Sequence, residues 1–282
     1  MAQSIKRNNS IYTVLSFILF TAIGILVVIP LLAAFLASFR PGRELIRYGL
    51  NLKFDFANMS LTNYAELFDG KNSYFRWFGN STWLTFITVT LTLIVCYCVA
   101  YGLTMYHFKL EKILFFLVIA TMMVPFEILM LPLYQEIIGL HLINKDLGVI
   151  LPGLCGASTI FFFRQYLLGL PKELLDAGRI DGADEYRICF TIMMPLAKPA
   201  FAAMAILCAM GSWNNMLWPM LVYRDASKFT LPIGLNTLLT PYGSNYDLLI
   251  AGSCFSILPV FVVFLIFQKY FIKGMTAGAV KG

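Results

Sequence analysis

The chain has 282 residues, of which 59% are hydrophobic and only 13% are charged, and its mean hydropathy is +0.76. Soluble globular domains carry about 25% charged residues, so this composition excludes an ordinary soluble protein and indicates an all-α integral membrane protein. The formal net charge of +6 does not point to nucleic acid, because the sequence offers no soluble basic surface with groove-reading elements.

Six stretches approach the roughly 20 apolar residues that a membrane-spanning helix needs. In chain order they cover residues 11–39, 80–106, 113–138, 147–168, 199–222 and 248–270. We interpret residues 1–282 as a single transmembrane domain whose termini lie on the same face of the membrane. No small-residue cleavage pattern follows the first stretch, so we expect a permanent span rather than a removed signal peptide.

Basic residues in the short connections predict the orientation. Lys6 and Arg7 precede the first stretch, Lys109 and Lys112 join the second and third, and four more lie in the connection 169–198. Cytoplasmic connections are enriched in lysine and arginine, so we predict a multi-pass protein with both termini in the cytoplasm.

Two longer connections lie on the opposite face. Residues 40–77 hold one proline, Pro41, and scattered glycines and asparagines, which favour a small extramembrane segment with one short helix over residues 61–68. Residues 223–247 form a second loop punctuated by proline and glycine, and we expect a partner to contact it.

Polar residues inside the third and fifth stretches are candidates for a transport path. Pro125 and Pro132 are predicted to interrupt the third stretch, and Glu127 between them is costly in lipid unless it faces a cavity or a partner. The fifth stretch carries four candidates, Trp213, Asn214, Asn215 and Trp218. Glu127 and the two asparagines either share one polar cavity or pair with neighbouring helices.

Other polar residues have simpler explanations. Arg164 lies near the end of the fourth stretch, where it either extends to the membrane surface or takes part in transport. The six cysteines lack metal-ligand spacing with histidine, so we interpret them as packing residues and predict no metal site. We also predict no catalytic residue.

The connection 169–198 is the longest charged segment between two spans on the predicted cytoplasmic face. Pro171 suits a first helical turn, and Glu173 and Asp176 place negative charge where a helix N-terminus favours it. Gly182 permits a sharp change of direction before a second short helix that ends at Pro195. These features predict a helical hairpin that protrudes from the membrane, either to fit a groove on another protein or to lie on the lipid surface.

The order of residues in this hairpin resembles the EAA loop of ABC-importer permeases. That pattern is Glu-Ala-Ala, three residues, Gly, nine residues, Ile, one residue and Leu-Pro. Here Asp176-Ala177-Gly178 occupies the first place, and Gly182, Ile192 and Pro195 follow at the same distances. Asp176 replaces glutamate and Met194 replaces leucine.

Further passages resemble the carbohydrate branch of this family, which includes the maltose, multiple-sugar and glycerol-3-phosphate permeases. These passages are Phe163-Arg164-Gln165-Tyr166, Trp213-Asn214 and the tail Gly274–Gly282.

The resemblance implies a type I ABC importer fold in a bacterial or archaeal plasma membrane. It implies a second, homologous permease subunit, two ATPase subunits that use ATP and Mg²⁺, a solute-binding protein and a carbohydrate substrate. The chain itself has no Gly-x-x-x-x-Gly-Lys-Ser/Thr phosphate loop, so we expect it to bind no cofactor. The residues implied in coupling to the ATPase are Glu173, Asp176, Ala177, Gly178, Asp181, Gly182 and Ala183. The loop 223–247 is implied in contacting the binding protein, and the tail in contacting the ATPases.

One other class of protein fits part of the pattern. A secondary transporter or channel would also have about six spans, broken helices and a buried acid, with Glu127 as an ion or proton site. Such a protein has no need of a hairpin with the EAA spacing, so we favour the ABC-importer permease.

Overall fold

The computed structural model describes residues 2–53, 59–70, 72–171, 173–239 and 245–279, with residues 2–11 and 270–279 as backbone only. These parts of the chain contain helices and no strand. Lys172, the middle of the loop 223–247, the side chains of the tail and the last three residues lie outside the description.

The described ranges form fifteen α-helices, with short 3₁₀ turns at 151–153 and 226–228 and a π-helical turn at 188–193. They are α1 (Ala2–Ala37), α2 (Gly42–Tyr48), α3 (Thr62–Phe68), α4 (Tyr74–Met105), α5 (Glu111–Met122), α6 (Phe126–Gly139), α7 (Asp146–Ile150), α8 (Ala157–Leu168), α9 (Glu173–Ile180), α10 (Glu185–Arg187), α11 (Met194–Leu196), α12 (Lys198–Trp213), α13 (Leu217–Val222), α14 (Leu231–Thr237) and α15 (Tyr246–Ala279).

The described residues hold three helices that are long and apolar enough to span a membrane, and up to six candidate spans if each bent pair counts as one, which agrees with the predicted number. Three are single helices over Tyr12–Ala37, Tyr74–Met105 and Tyr246–Lys269. Three more follow if each bent pair counts as one span: α5 with α6 at 105°, residues 146–153 with α8 at 49°, and residues 185–196 with α12 at 76°. The last pair differs from the predicted span 199–222, because residues 185–196 belong to the connection 169–198. The second span begins at Tyr74, six residues before the predicted start at Asn80.

The third and fifth predicted stretches are not continuous helices. The third breaks between Met122 and Phe126, where Pro125 adopts an extended conformation with ψ of 135°. Pro132 lies inside α6, so the prediction that it also interrupts the span is wrong. The fifth stretch divides after Trp213 into α12 and α13. Composition predicts the length of an apolar stretch, but it does not show where the helix breaks. The position of a break depends on which neighbouring groups take over the helical hydrogen bonds lost there.

The chain forms two compact units, and the first comprises residues 1–74 and 235–257. Its extramembrane segment is held to the start of α15, because the Asp247 carboxylate accepts a hydrogen bond from the Gly42 amide at 2.6 Å and the Tyr74 hydroxyl donates to the Gly252 carbonyl at 2.8 Å. The predicted short helix over 61–68 is confirmed as α3.

The second unit comprises residues 75–234 and 258–282 and contains the largest apolar core. Three aromatic rings from α4, α8 and α12 meet at its centre: Tyr97, Phe163 and Phe201, with centroid separations of 4.7–5.7 Å. The same core continues into the connection 169–198 through Leu175, Ile188 and Met193. The protruding hairpin is therefore packed onto the membrane-spanning helices rather than loosely attached to them.

Candidate functional site

The hairpin between the fourth and fifth spans comprises residues 173–196, and its first limb is α9. Leu175 and Gly178 are buried one helical turn apart on the inner face of this limb. Leu174, Ala177 and Ile180 point outward, and Ile180 is 86% exposed. The apolar residues of α9 thus form two faces, of which one joins the core and the other is open.

Gly178 allows the two limbs to approach closely. A Cβ atom at this position would lie 3.0 Å from the Ile192 side chain and 3.1 Å from that of Ile188. A larger residue would therefore push the second limb away from α9.

The predicted change of direction at Gly182 is confirmed. Gly182 has a φ of +76°, which glycine adopts without the steric cost that a Cβ atom brings. Two backbone hydrogen bonds close the end of α9, one from the Gly182 amide to the Arg179 carbonyl at 3.1 Å and one from the Ala183 amide to the Gly178 carbonyl at 3.0 Å. The Asp184 carboxylate then caps the second limb by accepting from the Arg187 amide at 2.7 Å.

The second limb is less regular than predicted. It consists of α10, a π-helical turn over Ile188–Met193 and α11, and it ends at Leu196 rather than at Pro195. Single π-helical turns are often found at functional sites.

Arg179 joins the two limbs electrostatically. Its guanidinium lies 3.4 Å from the Asp176 carboxylate and donates from Nε to Glu185 Oε1 at 2.8 Å. The hydrogen bond from Arg179, with a second from Tyr106, holds the pKa of Glu185 below its usual value, and the same contact with Glu185 raises the pKa of Arg179. Asp176 and Arg179 are three residues apart on α9, a spacing that allows a pair, whereas no local pattern points to Glu185.

Tyr97 in the second span and Tyr106, the residue after its end, are hydrogen-bonded to the second limb. The Tyr106 hydroxyl donates to Glu185 Oε2 at 2.7 Å, and the buried Tyr97 hydroxyl donates to the Cys189 carbonyl at 3.0 Å. Cys189 lies within the π-helical turn. Neither contact can be predicted from the sequence, because each joins residues about 80 to 90 positions apart.

The predicted transport-path residues divide into buried and exposed ones. Trp218 is 2% exposed and donates from Nε1 to the Gly148 carbonyl at 3.2 Å, while Trp213 packs edge-on against Phe78. The remaining three side chains, Glu127, Asn214 and Asn215, are exposed. Both tryptophans thus have a packing role, and a polar cavity shared by Glu127 and the asparagines stays a prediction.

The charge of Arg164 is compensated by protein partners rather than by water at the membrane surface. It pairs with Glu111 at 3.6 Å, and its guanidinium lies 3.8 Å from the centroid of the Phe115 ring. Its side chain is only 15% exposed, so the expectation that it extends to the surface is wrong. The ion pair with Glu111 and the ring contact replace the hydration that snorkelling would have provided.

Five of the six cysteines are buried or half-buried, as packing residues should be, whereas Cys155 is exposed in the break before α8. Within the described ranges, no group of three or more His, Cys, Asp or Glu side chains is arranged to hold a metal ion.

Comparison with known proteins places this architecture in a family. Residues 97–277 match the model of the binding-protein-dependent transport system inner membrane component. The chain is 52% identical over 273 residues to the arabinooligosaccharides transport system permease protein AraQ of Bacillus subtilis, which covers 97% of both chains. It is 32% identical to the lactose transport system permease protein LacG of Rhizobium radiobacter, with 89% of this chain and 93% of the relative covered.

The fold also matches a solved structure. A chain from a bacterial ABC transporter involved in the import of the acidic polysaccharide alginate superposes with a TM-score of 0.81 and 23% identity, covering 94% of this chain and 98% of that one. This likeness confirms the predicted type I importer fold, while the function rests on the family match and the closer relatives. The chain belongs to the family of inner membrane components of binding-protein-dependent transport systems.

Proposed function

We propose that the chain is one of two permease subunits of an ATP-driven importer for carbohydrates, with arabino-oligosaccharides as its substrate. The relatives named for arabino-oligosaccharide transport are 51–52% identical over 97–98% of the chain, whereas those named for lactose and glycerol-3-phosphate are 29–32% identical. This difference in sequence identity supports arabino-oligosaccharides, rather than lactose or glycerol-3-phosphate, as the proposed substrate.

The observation that carries the coupling role is the exposed outer face of α9. Asp176 is 73% exposed there beside the small side chain of Ala177, and Glu173, Ile180 and Asp181 are also exposed. Small residues allow another backbone to approach, and exposed carboxylates can pair with basic residues of that partner. We assign this face to docking against an ATPase subunit in the cytoplasm, with Gly178, Gly182 and Ala183 setting the shape of the hairpin.

The assembly follows from this assignment. ATP and Mg²⁺ are bound and used by two ATPase subunits, and this chain only transmits their movement. A homologous permease forms the other half of the translocation path, and a solute-binding protein delivers the substrate to the loop 223–247. The termini and the hairpin lie on the cytoplasmic face. The alternative of a secondary transporter with Glu127 as a proton site is set aside by the family assignment.

The substrate assignment is tested by deleting the gene and measuring uptake of radiolabelled arabino-oligosaccharides. We expect uptake to be lost and to return with a plasmid copy of the gene, while lactose and glycerol-3-phosphate uptake are unchanged. Normal arabino-oligosaccharide uptake in the deletion strain would refute the assignment.

Reversing the charge at Asp176 should weaken ATPase binding. Asp176→Lys places a cation beside Arg179 and against the basic partner expected on the ATPase, so we expect at least ten-fold weaker co-purification of that subunit, equivalent to about 1.4 kcal/mol. Asp176→Asn keeps the shape and should show a smaller loss. Equal ATPase recovery from the Lys variant and the unaltered protein would contradict the docking role.

A further inference from the structure

A polar cavity lies in the second unit, at the end of α4 opposite to the hairpin. Its volume is about 280 Å³, and its polar and aromatic lining consists of Asn80, Trp83, Asp146, Tyr223, Ser227 and Lys228. These residues come from α4, from the start of α7 and from the segment that follows α13. Tyr223, Ser227 and Lys228 belong to the loop 223–247, which the proposed function assigns to the solute-binding protein, whereas Asn80, Trp83 and Asp146 have no role assigned above.

The position of the cavity along α4 indicates which side of the membrane it faces. Asn80 precedes Tyr97, which contacts the hairpin, by 17 residues, and at 1.5 Å per residue this amounts to about 25 Å, most of the bilayer core. If the hairpin lies in the cytoplasm, as the proposed function holds, the cavity opens at the external end of the span. The inference therefore rests on the proposed function for its orientation.

The polar groups of the cavity are held in place by the protein. Asn80 donates from Nδ2 to the Ser227 and Phe229 carbonyls at 2.8 and 3.0 Å. The buried Tyr223 donates from its hydroxyl to Asp146 Oδ1 at 3.0 Å, and Lys228 Nζ lies 4.0 Å from the same oxygen. Binding would thus require little ordering of these side chains.

The fixed polar groups of the cavity still have hydrogen-bond acceptors and a donor available for a ligand. Asn80 Oδ1 and Asp146 Oδ2 accept no hydrogen bond from any residue that the structure describes. The Lys228 ammonium lies 4.0 Å from Asp146, beyond hydrogen-bond distance, and can donate to a ligand. The cavity can therefore both donate to and accept from a ligand that carries several hydroxyl groups.

Trp83 provides the apolar part of the lining. It is 57% exposed, whereas Trp77, Trp213 and Trp218 are each at most 7% exposed. A tryptophan near the membrane surface commonly anchors a helix in the lipid headgroups. This one also lines a cavity that holds a carboxylate, an amide and an ammonium group. An aromatic face beside fixed hydrogen-bonding groups suits the apolar face and the hydroxyl edge of a sugar ring.

We propose that this cavity is an entry subsite for one sugar unit of the imported oligosaccharide. Its volume lies just below the 300–1,000 Å³ typical of drug-sized ligand pockets, which suits a single ring rather than a whole chain of rings. Trp83 stacks on the ring, while Asn80, Asp146 and Lys228 bind its hydroxyl groups. The subsite receives the end of the substrate as it leaves the binding protein.

The test uses the complete transporter in proteoliposomes, with its binding protein and radiolabelled arabinotriose. We expect Trp83→Ala and Asp146→Asn each to lower uptake per inserted transporter by about five- to ten-fold at a subsaturating concentration of the loaded binding protein. Phe116→Ala is the matched control, because Phe116 is 67% exposed on α5 and lies outside the cavity lining, so its uptake should be unchanged.

Direct binding provides a second readout. Arabinotriose added to the complete transporter without binding protein should change the tryptophan fluorescence, and the change should disappear in Trp83→Phe, because the other three tryptophans of the chain are buried.

Unchanged uptake by both cavity variants would overturn the subsite. A lower amount of inserted Trp83→Ala protein with normal uptake per molecule would do the same, because Trp83 would then be a lipid anchor. Failure of the unaltered transporter to import arabinotriose would instead refute the proposed substrate.

Discussion

Gly182→Pro is expected to abolish association of the ATPase while the permease still inserts into the membrane. Proline fixes φ near −65°, but the hairpin requires +76° at this position. It also removes the amide that donates to the Arg179 carbonyl at the end of α9. The two limbs can no longer meet at Gly178, so the outer face of α9 turns away from its docking position. Co-purification of the ATPase with a tagged permease measures the effect, which we expect to exceed a hundred-fold.

The matched control is Gly70→Pro. Gly70 also has a φ of +76°, and a Cβ atom would meet no neighbour within 4 Å at either glycine, so the backbone conflict is of the same kind. Gly70 lies in the extramembrane segment between α3 and α4, so we expect this variant to keep the ATPase. Gly182→Ala should give an intermediate result, because a residue with a Cβ atom pays about 1–2 kcal/mol for this conformation. Full ATPase retention in Gly182→Pro would show that the shape of the hairpin is not needed for docking.

The hairpin was predictable from the sequence because its determinants are local. Glu173, Asp176 and Gly182 act on their immediate neighbours, and the structure places the first turn of α9 and the change of direction where these residues indicate. Pro171 precedes α9 instead of lying in its first turn as predicted. The spacing of the EAA pattern also allowed the hairpin to be compared with that of the ABC-importer permeases. The internal irregularity of the second limb has no comparable local signal, so neither its π-helical turn nor its end at Leu196 was foreseen.

The polar residues of the spans were harder to interpret because their partners are distant in sequence. Trp218 is bound to the carbonyl of Gly148, 70 residues earlier, and Arg164 to Glu111, 53 residues earlier. Apolar length predicts that such residues lie in a span but not which neighbour satisfies them. The entry subsite is not predictable from the sequence for the same reason, because Trp83 and Asp146 are distant along the chain and meet only in the folded protein.

The contacts of Tyr97 and Tyr106 change how movement of the hairpin reaches the membrane. The chain itself joins the hairpin only to the fourth and fifth spans. Two hydroxyl groups attach it to the second span as well, one at Glu185 and one in the π-helical turn at Cys189. A displacement of the hairpin should therefore move α4, whose opposite end lines the proposed entry subsite.

Removing both hydroxyl groups should uncouple ATP hydrolysis from transport. In the double variant Tyr97→Phe and Tyr106→Phe, the outer face of α9 is unchanged, so the ATPase should still bind. The Cys189 carbonyl loses a buried donor, which costs about 1–3 kcal/mol. Both hydrogen bonds between the hairpin and the second span are then lost, and among the described residues only apolar packing still joins the two. We expect the amount of sugar imported per ATP hydrolysed to fall at least ten-fold in proteoliposomes.

The control for this prediction is Tyr166→Phe. The Tyr166 hydroxyl donates to the Leu196 carbonyl at 3.3 Å, but Tyr166 belongs to α8, which is already joined to the hairpin by the chain. Its loss should leave the ratio of sugar to ATP unchanged. An unaltered ratio in the double variant would show that the fourth and fifth spans carry the movement alone.

The attachment through Glu185 should be independent of pH over the physiological range. Arg179 and Tyr106 hold the pKa of Glu185 below its ordinary value of 4.5, so the carboxylate that accepts both hydrogen bonds is ionised throughout this range. A group whose pKa is lowered on folding contributes its stabilisation above the unfolded pKa and loses it only as the pH falls through the folded pKa. We therefore expect the ratio of sugar to ATP to stay constant between about pH 6 and 8. A marked fall within that range would mean that another titrating group controls the coupling.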